Sequence, residues 1–502
     1  MQHLPSIADI TDNVTSISST KAENNKRPKH YLVHSHSSRH VHLTDDITPR
    51  EMALSILQAQ YHIYHTDLSG YLAGGAMVQD ALTKYALGGT PRDLYQAYKR
   101  FRPDKERIPP APTITITTRN WRDWLGHKSY YHDYLDFFDQ ELQLLESSVL
   151  KESSATPVPP TLTASWTATP STPLAYAMSK MASDYLSPLI PGLCASTGPL
   201  IHLGYGIEFG SRLVTAEGLA YACVSYQPAT TCFVTASQNS VPWNGGPSNS
   251  LGQPRRSPTV SILNMIRNDK RLDGMFDAGF QGRLNVVMSS RVSLLKSYLG
   301  MWASQVHSVS DALLDLAQTS SLLMFTATNR FGDEQQLDKN LANILLATHA
   351  ARFLVKILPS EVEKEQLMKA IWMSLVATYV VQGRPKVTAR AVSTHPVMAE
   401  VNPQDGQHDS MGEDEECKKS RSRSGSMAVS DAETEMREAT MGRWRALSQE
   451  AIHADHPLVP KIVRTLWRAE LEHGECDDIF FDGAIRAVGE DHASDESTGP
   501  GF

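Results

Sequence analysis

Leu200-Ile201-His202-Leu203-Gly204-Tyr205-Gly206-Ile207-Glu208-Phe209-Gly210-Ser211-Arg212 sets one imidazole and one carboxylate among apolar and small residues. The spacing predicts a buried helix start. At about 3.6 residues per turn His202, Tyr205, Gly206 and Phe209 share a face, while Glu208 and Arg212 pair on another. Gly204 and Gly206 each cost a helix roughly 1 kcal/mol against alanine, so a ligand or a neighbouring helix is expected to approach this backbone closely. The plainer alternative for His202 is a core histidine satisfied by one hydrogen bond.

The helical period extends outward on both sides. Upstream, Thr48-Pro49-Arg50-Glu51 and Thr90-Pro91-Arg92-Asp93 each combine a cap, a first-position proline and an early acid, and each opens an apolar run at three- and four-residue spacing. A helix over 77–86 is expected between them, stopped at Leu87-Gly88-Gly89. The aromatic-dense run from Asn120 to Leu145 reads as core or as the wall of a flat ligand's site. Helical spacing returns over 174–182 and continues from the His202 segment through Ala222. Downstream, helices are expected over 260–266, 282–305, 309–326, 337–358, 361–381 and from Trp444 to Leu471. The one alternating run, Thr113 to Thr118, stands alone, so the fold class is all-α, a multi-helix array around a central cavity.

Composition divides the chain. Residues 1–48, with histidines at 34, 36, 40 and 42, read as a disordered lead-in; 49–387 as a helical domain; 443–488 as helices completing it; 489–502 as a disordered tail. Between the helical parts, 388–442 joins Glu413-Asp414-Glu415-Glu416 to an Arg/Ser run, a charged disordered insertion whose 410–430 stretch suits a kinase or a protein partner. Residues 151–173 and 226–257 read as surface excursions, the second as a lid or a disordered insertion. The 502 residues carry a net charge of −8 and no long basic stretch, which argues against nucleic acid. Five scattered cysteines suit a reducing compartment. No signal segment and no apolar run of about 20 residues is visible, so a soluble cytoplasmic protein is expected.

Several pieces in series resemble the questin oxidase-like family. They are Leu82-Thr83-Lys84-Tyr85-Ala86-Leu87-Gly88-Gly89-Thr90-Pro91, the aromatic run Trp121 to Phe138, the His202 segment, Tyr379-Val380-Val381-Gln382-Gly383-Arg384-Pro385 and Val459-Pro460-Lys461-Ile462-Val463-Arg464-Thr465-Leu466. The resemblance implies an oxidoreductase performing Baeyer–Villiger or ring-cleaving oxygenation of a polycyclic aromatic polyketide such as an anthraquinone. It also implies NADPH as a reductant and a histidine-rich iron centre. Here the chain departs from the family pattern: the histidine-rich turn becomes Gly74 to Asp80, and two later family histidines fall on Asn343 and Leu458. His202 and Lys461 remain.

The candidate catalytic residues are accordingly His202 as general base or ligand, Lys461 as a buried amine, Tyr205 as a wall of the cavity, and Glu208, expected with Arg212 to orient His202. His349, Arg352 and Lys356 share a helical face suited to an enolate, a phenolate or a phosphate, or else a solvated surface. His349 and Arg352, with Asp80 and Asn343, form the candidate substrate-binding set. Lys461, Arg464 and Arg468 make a second cationic row, whose plainer reading is exposure. No Gly-x-Gly-x-x-Gly follows a strand, which leaves a Rossmann-bound flavin or nicotinamide unsupported. Two further readings stay open: an inactive relative that binds an aromatic molecule or a protein, and a helical interaction protein.

Overall fold

Threonine caps start the first helices as their sequences require. Thr48 and Glu51 exchange hydrogen bonds ahead of α1 (Pro49–Ile63), and Thr90 and Asp93 do the same ahead of α3 (Pro91–Phe101). Between them α2 (Ala76–Ala86) stops where Gly88 takes a φ of 90°, a left-handed conformation that favours glycine. The computed structural model describes residues 41–63, 76–101, 114–153, 173–226, 243, 257–273, 280–327, 338–387, 441–474 and 479–496. Every regular element among them is helical.

The aromatic run folds as two short 3₁₀ turns, Trp121–Trp124 and Lys128–Tyr130, and then α4 (Tyr131–Ser153). Phe137, Phe138 and Tyr185 pack edge to face in the core, so this stripe builds structure rather than a ligand wall. After α5 (Pro173–Met181) a single wide π turn leads into α6 (Ser187–Ser196). Then come α7 (Gly198–Glu208) and α8 (Arg212–Val224), where a single helix through Ala222 was expected. The break falls at Gly210, with a φ of 63°, and Ser211 caps the new helix.

That break corrects the pairing read from local spacing. Arg212 starts a different helix and pairs with Asp139 of α4 at 3.0 Å, leaving Glu208 to find partners elsewhere. The glycines have a clear role. A Cβ on Gly204 would collide with Ala350, one on Gly206 would come within 2.6 Å of the Thr215 nitrogen, and Gly218 fits as closely against Leu203. Neighbouring helices, then, are what approach α7. All its residues but Ile207 are buried, and a helix apolar nearly all round belongs in a core.

The second half adds α9 (Pro258–Asn268), α10 (Phe280–Ser290), α11 (Val292–Ala303), α12 (Val309–Ala327), α13 (Lys339–Leu354) and α14 (Glu361–Val381). The run expected over 282–305 is thus two helices, jointed at Arg291. A helix over 441–453 (α15), then α16 (Val459–His473) and α17 (Ile479–Glu496), complete the array. Helix α17 continues past the expected boundary at Gly489. Beneath α9, α11 and α14, buried Asp315 of α12 accepts from the Trp302 indole at 2.7 Å, from the Thr259 backbone at 3.4 Å and from the Ser257 hydroxyl.

The histidines before 41, the two surface excursions apart from their edges and Trp243, and the insertion over 388–440 lie outside the described residues, as does the 410–430 stretch. The described part of the alternating run, 114–118, forms no strand. Among the described residues no helix is long and apolar enough to cross a membrane.

Candidate functional site

Helices α2, α7, α13 and α16 pack against one another, α2 with α7 and α16, and α13 with α7 and α16. They carry the eight candidate catalytic and substrate-binding residues: Asp80 on α2, His202, Tyr205 and Glu208 on α7, Asn343, His349 and Arg352 on α13, Lys461 on α16. The fold gathers a sequence-dispersed set into one polar seam, but it divides that set into three groups.

Glu208 is the centre of the first group. Its carboxylate, 4% exposed, pairs with the Arg464 guanidinium on one oxygen and accepts from His349 Nε2 at 3.3 Å on the other. Burial alone would raise the Glu208 pKa, and the charge of Arg464 with the contact of His349 outweighs that and holds it well below the usual carboxylate range. The guanidinium also lies over the rings of Phe209 and Tyr205, 4.9 and 5.4 Å from their centroids, and those rings stack on each other. Tyr205, Glu208 and Phe209, one turn of α7, thus form a socket for Arg464. The Tyr205 hydroxyl meets Thr83 of α2 at 2.7 Å.

His349 has both ring nitrogens engaged. Nε2–H donates to Glu208, and Nδ1 accepts from Arg352 Nη1 at 3.3 Å. Burial is the main cause that pushes its pKa down to about 4, so the ring is neutral near pH 7 with its tautomer fixed by two charged neighbours. Arg352 is buried and pairs with Glu472. Lys356, the third member of the stripe, is exposed. The solvated-surface reading holds for Lys356 alone, and the exposed-row reading fails for Lys461 and Arg464, which are 4% and 2% exposed.

The second group is Asp80 with Lys461. Asp80 is fully buried, and neither carboxylate oxygen has a hydrogen-bond partner. Desolvation raises its pKa against the opposing charges of Lys461, Lys84 and Arg100. The Lys461 ammonium donates to Gln79 at 3.5 Å. Asn343 is buried on α13, nearly two turns before His349.

His202 makes the third group. Its Nε2–H donates to Glu217 of α8 at 2.9 Å, both residues wholly inside the core, and Nδ1 has no partner. Glu217, not Glu208 or Arg212, orients this ring. His456, close to Lys461 in sequence, is exposed and accepts from the Leu458 backbone.

A pocket of about 270 Å³, counting solvent at its mouth, opens where α12, α13 and α16 meet. His349, Arg352, Thr465 and His473 line it, so it adjoins the Glu208 group and does not include His202. Arg464, Thr465, Glu217 and Glu472 were not assigned site roles from the sequence. The helical row at 461, 464 and 468 pointed to Arg464, but nothing local pointed to its partner.

The seam does not fit the iron centre implied by the family pattern. Cationic Lys461, Lys84 and Arg100 act on the carboxyl of Asp80, buried Leu458 supplies no donor, and no three His, Cys, Asp or Glu side chains cluster to hold a metal among the described residues. Nor does the pocket fit a dinucleotide. The room inside it, apart from open solvent, is about 10 Å³, enough for about one water.

Comparison with known proteins gives a consistent answer. Residues 76–466 match the questin oxidase-like family. The chain is 27% identical over 215 residues to Oxidoreductase AflY of Aspergillus parasiticus, covering 42% of this chain and 37% of that protein. It is 26% identical over 189 residues to Baeyer-Villiger monooxygenase dmxR6 of a Cryptosporiopsis species, covering 36% and 35%. With Questin oxidase of Aspergillus terreus it shares 26% identity over 174 residues, 34% of each chain. These alignments span little more than a third of each relative's length. The family match, by contrast, runs from the start of α2 into α16 and takes in all four helices of the seam, so this chain belongs to the questin oxidase-like family.

Proposed function

We propose that the protein is an oxidoreductase acting on an aromatic polyketide, a phenol or quinone such as an anthraquinone, by Baeyer–Villiger or ring-cleaving oxygenation. The observation that carries this reading is the buried ionic group Arg464–Glu208–His349, which reaches a partly apolar pocket through His349 and Arg352. Fixed cations beside an apolar wall favour a phenolate or enolate over its neutral form, because the protein has already oriented its dipoles before charge develops.

Each residue has a definable part. Arg352 supplies positive charge at the pocket. His349, with both nitrogens committed, positions Arg352 rather than taking a proton. Glu208 holds His349 and Arg464 in place, and Tyr205 fixes the Arg464 plane. Asp80, its pKa raised, keeps a proton more readily than an ordinary carboxyl and is the acid of the Asp80–Lys461 pair. His202, bound to Glu217, is a core tie between α7 and α8.

One observation favours a second reading, binding of an aromatic molecule without turnover: Asp80, Asn343 and Leu458 stand at or near the positions of family histidines. Oxygen uptake by the purified chain with a panel of hydroxyanthraquinones and added NADPH separates the two. Substrate-dependent uptake that falls at least tenfold in Arg352→Met supports the oxidase. Saturable binding without uptake supports the alternative.

A further inference from the structure

The run Tyr379 to Pro385 closes α14 outside the Glu208 group, and its backbone carries an outlier. The Arg384 N–H donates to the Tyr379 carbonyl and that of Gly383 to Val380, both at 2.9 Å, the pattern in which a helix ends on a left-handed glycine. Gly383 meets that need with a φ of 78°. Arg384 then takes a φ of 59°, although it carries a side chain and stands before a proline, a place that favours extended backbone. Strain of this kind persists only where surrounding contacts over-determine it, and it points to function.

Two sets of contacts hold the turn. Arg384 Nη1 donates to the Asp269 carbonyl at 2.9 Å and to those of Arg267 and Ile266 at 3.2 and 3.3 Å, closing the negative end of α9, and Nη2 pairs with Asp273. From the same turn, Gln382 Nε2 donates to Asp338 Oδ1 at 3.0 Å. That oxygen also accepts from the backbone of Asn340 at 2.9 Å and of Leu341 at 3.1 Å, so it is the cap of α13. The strained turn thus ties the end of α9 to the start of α13.

The start of α13 needs such a tie. Lys339 puts a positive charge at the end of the helix where a negative one is favoured, and the first turn holds no acid of its own. From Leu341 to Arg352 each residue is buried, so no solvent face sets the rotation of the helix. Contacts set it instead: Ala350 against Gly204, His349 on Glu208, Arg352 on Glu472, and Asp338 at the start. We propose that Gln382 is a positioning residue: through Asp338 it locks the rotation of α13 and so holds His349 and Arg352 in the seam, with Arg384 bracing it from α9. The part played in turnover rests on the proposed oxidation; the lock itself does not.

Gln382→Met keeps the length of the side chain and removes the donor. In the full-length chain at neutral pH, hydrogen exchange at the Asn340 and Leu341 amides is expected to quicken about tenfold. The ring nitrogen-15 shifts of His349 should change from the Nε2–H tautomer alone to a mixture. Oxygen uptake with hydroxyanthraquinones should lose about three- to tenfold in kcat, with KM held within about twofold. A reversed pair supplies the rescue. Gln382→Glu sets two carboxylates face to face, and adding Asp338→Asn keeps a capping oxygen and offers an amide N–H to the new acceptor. The double variant should regain slow exchange and the single tautomer. Unchanged exchange in Gln382→Met overturns the proposal, and so does a lower melting temperature with His349 still wholly Nε2–H, which is what a merely structural residue would give. Shifts in exchange and tautomer in a chain whose parent takes up no oxygen keep the lock and sink the oxidase reading. Uptake that Gln382→Met leaves untouched despite both shifts overturns the positioning role and leaves the oxidase.

Discussion

Glu208 and Asp315 are buried to the same degree, 4% and 5% exposed, yet the protein treats them in opposite ways. Asp315 receives neutral donors, two hydroxyls, an indole and a backbone N–H, and burial still raises its pKa. Glu208 faces a guanidinium and an imidazole, and its pKa falls. Neutral donors tie α9, α11 and α12 together without leaving a cation in the core. At the Glu208 seam each charge is needed by another, from Arg464 through Glu208 and His349 to Arg352. The first region is built to be inert, the second to hold charge beside an opening.

Removing one charge from each region is the strongest way to break this contrast. Glu208→Gln leaves Arg464 buried and unpaired, and a loss of roughly 3–5 kcal/mol in denaturant-measured stability is expected. A loss under about 1 kcal/mol would mean that Arg464 rehydrates and the seam is softer than described. The pH dependence comes next. The unfolded chain protonates His349 near 6.5 and the folded one only near 4, with Glu208, Arg352 and Arg464 facing the ring, so stability should fall as pH drops through that window. The amount is on the order of 3 kcal/mol at most, and urea midpoints for His349→Gln should show a flatter profile. Asp315 contributes with the other sign, since its raised pKa removes stability as pH rises above the ordinary carboxylate range.

Asp315→Asn swaps an acceptor for a donor among neutral donors and should cost about 1–3 kcal/mol. A cost equal to that of Glu208→Gln would erase the distinction between the regions. Gly204→Ala, which drives a methyl into Ala350, is expected to cost about 1–3 kcal/mol by overpacking. Gly300→Ala on α11, where an added Cβ meets nothing within 4 Å, should instead gain about 0.5–1 kcal/mol. Thermal melts of the last two variants, run together, check that the tightness is local to α7.

Helices were legible because their signals are local. Thr48 with Glu51, Thr90 with Asp93, and Ser360 with Glu363 stand at capping-box spacing, and the last opens α14 at Glu361, where the period begins. The site residues were legible as a list, since His202, Tyr205, Glu208, His349, Arg352, Asp80, Asn343 and Lys461 all fall on the seam helices. Their partners were not. Four-residue spacing pointed Glu208 at Arg212, but one glycine at a positive φ ended the helix between them. The actual partner, Arg464, lies 256 residues further along. Pairings across such a distance depend on how helices cross, which periodicity within one helix does not encode.

The three close glycine contacts of α7 and α8 carry one more consequence. Gly204, Gly206 and Gly218 fit against Ala350, Thr215 and Leu203 with no room for a methyl, so α7, α8 and α13 interlock like parts cut to one gauge. Grafts or chimeras that exchange one of these helices for a relative's should fail unless all three travel together.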